Sequence, residues 1–155
     1  MALSSLEERR KVVNEVLGMM ALRMAQSYRV GSVGARIISG GQRKRVNIGV
    51  ELVSRPPLLF LDEPTSGLDA SCSNVVLRSL LDLAVNGGVN VVAVIHQPRH
   101  SVFHMFHEIH LLGESGSTVY HGPPGKVREY FESLMYSFPP FENVADTLLD
   151  IVTGR

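Results

Sequence analysis

Apolar positions recur along this chain with two periods. Val13, Val16, Leu17 and Met20 recur at helical spacing and predict an amphipathic helix packed on a core. Ser4 and Ser5 each have a glutamate three residues on, the pattern of a capping box. Tyr28 to Ala35 holds two glycines and little periodicity, so it reads as a loop. A second helix is expected from about Gly41 to Ser54, with Val46, Val50 and Val53 near one face and Ile48 and Leu52 at its flanks. Arg55-Pro56-Pro57 ends it, because proline cannot continue a helix and restricts the residue before it. Leu58-Leu59-Phe60-Leu61 is then a short, wholly apolar run, the pattern of a strand buried on both faces in a parallel sheet.

The alternation of strand and helix continues. Ser71 to Val85 predicts a helix with Val76, Leu77, Leu80, Leu81 and Ala84 inward, closed by Asn86-Gly87-Gly88. Val89 to Ile95 is rich in β-branched residues and reads as another buried strand. A strand–helix–strand order implies parallel pairing with a right-handed crossover. Pro98 to Phe106 predicts a short helix, and Ile109–Leu112 with Thr118–His121 a hairpin joined by a Gly/Ser-rich loop. Pro123 opens a helix through about Tyr136, with Val127, Tyr130, Phe131 and Leu134 inward. A proline-containing loop, Ser137 to Phe141, precedes a final helix beginning at Asn143.

Composition narrows the function classes. The 155 residues suffice for one domain and one core, and 45% of them are hydrophobic. Lys plus Arg and Asp plus Glu balance at 15 each, so no net charge draws the chain to nucleic acid or an acidic membrane. Cys72 is the single cysteine, which excludes an internal disulfide. No apolar run approaches the roughly 18–20 residues of a membrane span. The N-terminus turns charged at Glu7 to Lys11, unlike a signal peptide. The chain itself is therefore expected to be soluble or peripheral.

Three stretches carry candidate chemistry. Ser39-Gly40-Gly41-Gln42 opens a helix: Ser39 suits the N-cap, and glycines let a backbone or ligand approach closely. Free N–H groups and the dipole at such an end suit phosphate, although an ordinary capped turn explains an isolated motif equally well. Arg43, Lys44 and Arg45 oppose the helix dipole, which points either to an anionic partner or to a solvated basic face. Asp62 and Glu63 stand where the first strand stops, at the carboxyl edge where open α/β sheets bind ligands. Two acids there suit Mg²⁺ and a water. His96 ends the second parallel strand on the same edge. His100, His104 and His107 fall on one helix face; HxxxH spacing suits zinc, but without a second ligand pair a solvated face is the better reading.

Taken together, these stretches resemble the ABC-type ATPases. Ile38 to Arg45 resembles their signature motif, Leu58 to Glu63 their Walker B strand with its following glutamate, Ser66-Gly67-Leu68-Asp69 their D-loop, and Val94-Ile95-His96 their switch histidine. All four lie in the family order. The ISGGQRKR form, His96-Gln97-Pro98 and the Asn143-Val144-Ala145-Asp146 segment resemble the G subfamily of half-transporters, the white-brown complex type. No G-x-x-x-x-G-K-[ST] phosphate loop, the Walker A motif, occurs. Gly122-Pro123-Pro124-Gly125-Lys126 lacks its spacing and hydroxyl and reads as a turn into a helix. The family's Walker A would precede Met1, so the chain resembles the second half of an ATPase domain.

The resemblance implies an α/β, partial P-loop NTPase fold with a mostly parallel sheet flanked by helices and part of the helical signature subdomain. It divides the chain into a signature segment (about 4–54), a Walker B, D-loop and switch core (58–121), and C-terminal helices leading toward a membrane domain (122–155). Implied cofactors are ATP and Mg²⁺. Asp62 would orient Mg²⁺, Glu63 polarise the attacking water, and His96 contact the γ-phosphate. Ser39, Gly40, Gly41 and Gln42 would bind a partner's nucleotide, with Asp69 bridging the two sites. Expected partners are a second ABC ATP-binding domain and a transmembrane domain, not nucleic acid, with the assembly on the cytoplasmic face of a membrane. The isolated chain, lacking Walker A, is expected to be inactive. Alternatives are a truncated nonenzymatic fragment, a regulatory decoy at a transporter's dimer interface, and a chromosome-maintenance ATPase head. Such heads join long coiled coils, and no sustained heptad occurs here.

Overall fold

The computed structural model describes residues 5–32, 35–140 and 142–154. Two compact units divide the chain, Met1–Ile95 and His96–Arg155.

In the first unit, α1 spans Leu6–Met19. Ser5 caps it as the sequence predicts: its Oγ accepts from the Glu8 N–H at 3.1 Å, and Glu8 Oε2 accepts from the Ser5 N–H at 3.1 Å. Val12, Val16 and Met20 form the buried stripe, one residue out of step with the expected Val13, which is 44% exposed. The segment expected to be all loop holds a two-residue antiparallel pair, β1 (Gly31–Ser32) and β2 (Ala35–Arg36). Two residues per strand leave no alternation to read in sequence. Arg43 fastens this turn by donating to the Gly31 carbonyl at 3.1 Å.

Helix α2 spans Gly40–Leu52 and buries Gly41, Arg45, Ile48, Gly49 and Leu52. This corrects the valine face expected from hydrophobicity, since Val50 is 64% exposed. The contact surface is set by close approach: a Cβ on Gly49 would stand 3.2 Å from Val16 Cγ1 of α1. Glycines at 41 and 49, on the same side as Arg45, let neighbouring helices come near, a signal that hydropathy does not register.

Strand β3 (Leu58–Asp62) pairs in parallel with β4 (Asn90–Val94), Leu58 opposite Asn90 through Asp62 opposite Val94. Between them runs α3, Ala70–Val85, which buries Val76, Leu77, Ser79, Leu80 and Leu83. Leu81 and Ala84, expected inward, are only half-buried. Leu59 of β3 is buried, but its neighbours are not: Phe60 is 71% exposed and Val94 62%. Among the described residues the sheet has two strands and only one of its faces is buried, so the expected burial on both faces is not found.

The second unit is built on a separate core of Phe103, Tyr120, Val127, Phe131, Phe138, Val144, Ala145 and Leu148. Helix α4 is only His100–Phe103, shorter than expected, so His107 lies beyond it and the three histidines do not share a helix face. The hairpin is present as β5 (Ile109–Leu112) and β6 (Thr118–Gly122), with a register shift at Leu111/Leu112. A 3-10 turn at Pro124–Lys126 leads into α5, Val127–Ser133. That helix stops before the predicted Tyr136, where Met135 takes φ 69°, and it leaves Tyr130 and Leu134 exposed. Helix α6, Val144–Thr153, closes at Gly154 in the left-handed conformation.

Phe131 is 1% exposed at the centre of this core. Phe131→Ala is expected to destabilise the second unit by about 3–5 kcal/mol, through lost burial plus a cavity. A urea melt of wild type and variant, followed by tyrosine fluorescence, checks this.

Candidate functional site

The glycine-rich turn is held from both sides. Ser39 caps α2 with a full capping box: its Oγ accepts from the Gln42 N–H at 3.1 Å, and Gln42 Oε1 accepts from the Ser39 N–H at 2.8 Å. Asp69 caps α3, its Oδ1 accepting from the Cys72 N–H at 2.8 Å. These two helix starts meet. A Cβ on Gly40 would stand 3.3 Å from Leu68 Cδ2, and one on Gly41 would stand 3.1 Å from Cys72 Cβ. The contact requires glycine at 41 for packing, not for φ. The structure thus brings Ser39–Gln42 beside Leu68–Cys72.

Electrostatics at this junction follow from the caps. Hydrogen bonds from Cys72 hold the Asp69 carboxyl below its usual range, and Asp69 in turn pushes the Cys72 thiol up. Cys72 is therefore a half-buried thiol that resists ionisation. The Cys72 sulfur lies against Gly41, 3.3 Å from where a Cβ would stand. The Gly40 N–H, at the first helical position, has no acceptor within the helix. Arg45 is the residue that sequence reasoning underrated. It is 8% exposed, its Nε has no hydrogen-bond partner, and burial lowers its pKa. Among the three basic residues of this turn, Arg45 is a buried cation beside Gly41, Arg43 is a latch on Gly31, and Lys44 is half-buried.

The paired acids have their own backbone. Asp62 is the last residue of β3 and is exposed, opposite Val94. Glu63 follows with φ 43°, in the left-handed region that non-glycine residues rarely enter. Its N–H donates to the Val94 carbonyl at 3.0 Å, which keeps the turn tied to the end of β4. Strain of this kind is tolerated only where surroundings enforce it, and it gathers at functional sites. His96 is exposed and opens the second unit, two residues beyond Val94 in the chain. Gln97 next to it also takes positive φ, 47°. Asn143, at the N-cap of α6, donates to the Pro98 carbonyl at 2.9 Å and so anchors the stretch that follows His96.

No three His, Cys, Asp or Glu side chains among the described residues converge as a metal cage. Mg²⁺ does not need one: it takes one or two protein carboxylates and fills its shell with water and phosphate oxygens. An exposed Asp62 at a strand end fits that donor set.

A parallel β–α–β unit, a serine-capped helix opened by two glycines against the turn after its first strand, and paired carboxylates at the strand end are in keeping with the ATP-binding domain of an ABC transporter, and the chain belongs to that family. A family model described as ABC transporter matches residues 4–66, and one described as ABC-2 type transporter matches residues 96–155. The relatives place it in the G family. ABC transporter G family member 25 of Oryza sativa subsp. japonica is 48% identical over 143 residues, 92% of this chain and 14% of that protein. Among solved structures, cbiO1 from Clostridium perfringens, part of the ABC transporter complex cbiONQ, superposes with a TM-score of 0.71 at 26% identity. That match covers 87% of this chain and 51% of cbiO1. The ATP-binding cassette MJ0796, a dimer in a post-hydrolysis state bound to ADP and Pi, gives 0.59 at 29% identity over 79% of this chain and 50% of that one. The chain therefore spans about half of the solved ATPase chains it matches and a small part of the curated relative. No helix among the described residues is long and apolar enough to cross a membrane.

Proposed function

We propose that this chain supplies the signature, Walker B, D-loop and switch half of the ATPase domain of a G-family ABC transporter. Such a domain would hydrolyse ATP to power transport across a membrane, on whose cytoplasmic face it would lie. The observation that carries this reading is the junction of Ser39–Gln42 with Leu68–Cys72. A helix N-terminus with its first N–H free of an intrahelical acceptor and a buried Arg45 nearby suits a phosphate, which in this reading belongs to the nucleotide of a second ATP-binding domain. The dimeric state of MJ0796 with ADP and Pi supports the same arrangement.

In this reading the chain divides as signature segment (about 4–54), hydrolytic core (58–121) and C-terminal helices (122–155). Asp62 holds Mg²⁺, which when bound neutralises phosphate charge. Glu63 accepts a hydrogen bond from the attacking water and aims it. His96 donates to the γ-phosphate. Ser39, Gly40, Gly41 and Gln42 cover the nucleotide of the second ATP-binding domain, and Asp69 bridges the two sites. Phosphoryl transfer needs mainly position and charge stabilisation, which this set of groups can supply. A transmembrane domain is the other partner.

The absence of a phosphate loop favours one qualification: the chain by itself hydrolyses nothing. Isothermal calorimetry of the 155-residue chain with Mg·ATP is expected to show no micromolar binding, because the cradle for the β- and γ-phosphates is missing. Micromolar affinity would overturn the proposed division of labour between the halves. In a complete domain, Asp62→Asn is expected to weaken Mg²⁺-dependent nucleotide binding; unchanged Mg²⁺ dependence would remove Asp62 from the metal site.

A further inference from the structure

The second unit carries a histidine pair that the ATPase site does not use. Strand residues alternate between faces, and Ile109, Leu111 and Tyr120 of the β5–β6 hairpin pack on the core. His110 and His121 therefore fall on the opposite, exposed face, and the register sets them directly across from each other. Their ring centroids are 5.2 Å apart, with the planes at 34°. Two more side chains close around them. Glu108 Oε2 lies 2.8 Å from His121 Nε2, and Thr118 Oγ1 lies 2.7 Å from His110 Nε2.

These groups are the parts of a metal site. A carboxylate only accepts, so Glu108 holds the proton of a neutral His121 on Nε2 and leaves the Nδ1 lone pair to a ligand. Thr118 can do the same for His110, since its hydroxyl oxygen accepts from an Nε2–H. Among the described residues neither Nδ1 has a hydrogen-bond partner. A metal-bound histidine ordinarily has its other nitrogen held by such an acceptor, which sets the tautomer and aims the ring. Opposed residues of an antiparallel pair hold their Cβ atoms about 4.5–5.5 Å apart, close enough for both imidazoles to reach one ion at about 2.0–2.1 Å. Imidazole suits Zn²⁺ and its neighbours in the first transition row, whereas Mg²⁺ and Ca²⁺ take oxygen. The histidines spaced for zinc in the sequence are worse placed. His100 and His104 have rings 4.6 Å apart, but α4 is only His100–Phe103 with His104 at its C-cap, and among the described residues no carboxylate holds either ring.

We infer that His110 and His121 chelate one divalent transition-metal ion of the Zn²⁺ class across the β5–β6 hairpin, with Glu108 and Thr118 as the outer partners of the two rings. Water fills the remaining coordination positions, in accord with a site of two protein ligands instead of a closed cage. Bound there, the ion ties β5 to β6 and stabilises the folded second unit, because an unfolded chain does not hold the pair in place. The inference stands apart from the ATPase reading, which uses none of these four residues.

The test uses the full 155-residue chain with zinc chloride as the probe. Calorimetry is expected to show a tightest site that takes a single Zn²⁺ per chain. In NMR spectra of the imidazoles, His110 and His121 should shift together at that first equivalent, while His96, His100, His104 and His107 stay in place. Magnesium chloride should move neither member of the pair. His110→Gln and His121→Gln should each weaken binding by roughly 100-fold or more, beyond the roughly 10- to 100-fold that loss of an outer partner costs. The double variant should bind about as weakly as either single one, because one ring alone no longer chelates. Glu108→Ala should cost about 10-fold or more. His100→Gln combined with His104→Gln should leave the affinity as in wild type. Zn²⁺ should raise the thermal midpoint of the wild type and not that of His121→Gln. All of these side chains are exposed, so the circular dichroism spectra of the variants should match the wild type. The NMR readout is made on the unaltered chain and decides the matter even where a variant fails to fold. No binding tighter than millimolar, affinity untouched by His110→Gln or His121→Gln, or first shifts at His100 and His104 would each overturn the inference.

Discussion

Glu63→Gln, placed in a complete ATP-binding domain carrying this sequence, is expected to lower ATP turnover by about 100- to 10,000-fold while leaving nucleotide binding in place. The backbone explains why the effect should be confined to chemistry. Glu63 is exposed, its φ of 43° is enforced by the turn after β3, and its N–H is held by the Val94 carbonyl at 3.0 Å. Glutamine keeps that N–H, the side-chain length and one hydrogen bond to water. It cannot accept the proton that the attacking water gives up. Asp62→Asn is expected to differ in kind: with Asp62 as the proposed Mg²⁺ ligand, the change would remove charge from the metal site and act on binding. Single-turnover hydrolysis together with nucleotide binding on each variant separates the two. Equal loss of binding in both would contradict the separate roles assigned to the neighbouring acids.

Gly40→Asp is expected to abolish the function of the signature turn while the fold survives. Gly40 is exposed, and a Cβ there meets only Leu68 Cδ2 at 3.3 Å, the mobile end of a side chain. A carboxylate at the first helical position is itself favourable to the helix dipole. Against a phosphate it is not: two unit charges 4 Å apart at an effective dielectric of about 20 repel by roughly 4 kcal/mol, about a thousandfold in occupancy. Gly41→Asp is the less clean variant. By sequence its acid looks harmless in a first turn, but Gly41 is buried and a Cβ would stand 3.1 Å from Cys72 Cβ. That substitution should push α2 and α3 apart as well as repel phosphate. Circular dichroism and thermal melting are expected to leave Gly40→Asp near wild type and Gly41→Asp below it.

Much of the architecture is legible from local chemistry. Ser5 with Glu8 and Ser39 with Gln42 announce their helices by short-range rules that tertiary structure does not override. The apolar runs at Leu58 and Val89 and the break between them give β3, α3 and β4 in parallel order. The places where sequence reading goes astray share a cause: each depends on what lies across from the residue. Val50 is apolar and exposed, while Gly49 is chosen by the closeness of Val16. Phe60 and Val94 read as core and are open, because no described residue packs over that face of the sheet. Leu134 continues a helical stripe, but the helix has ended.

The site divides in the same way. The positions of Ser39, Asp62, Glu63, Asp69 and His96 at caps and strand ends are readable as motifs. The burial of Arg45 is not, since a basic triplet in sequence looks solvated until one member is found beside Gly41 with an unpaired Nε. Nor is the left-handed turn at Glu63, because glutamate gives no hint of positive φ. Asn143 announces a helix start, yet its amide holds Pro98 across 45 residues, a long-range bond with no local signal.

ATP turnover in trans is the decisive measurement. A domain with an intact phosphate loop and a disabled signature turn is titrated with this chain, wild type or Gly40→Asp, both checked for fold. Turnover is predicted to recover with wild type and to remain at baseline with Gly40→Asp. Equal recovery with both, or none with wild type, would contradict the assignment of Ser39–Gln42 to a partner's nucleotide.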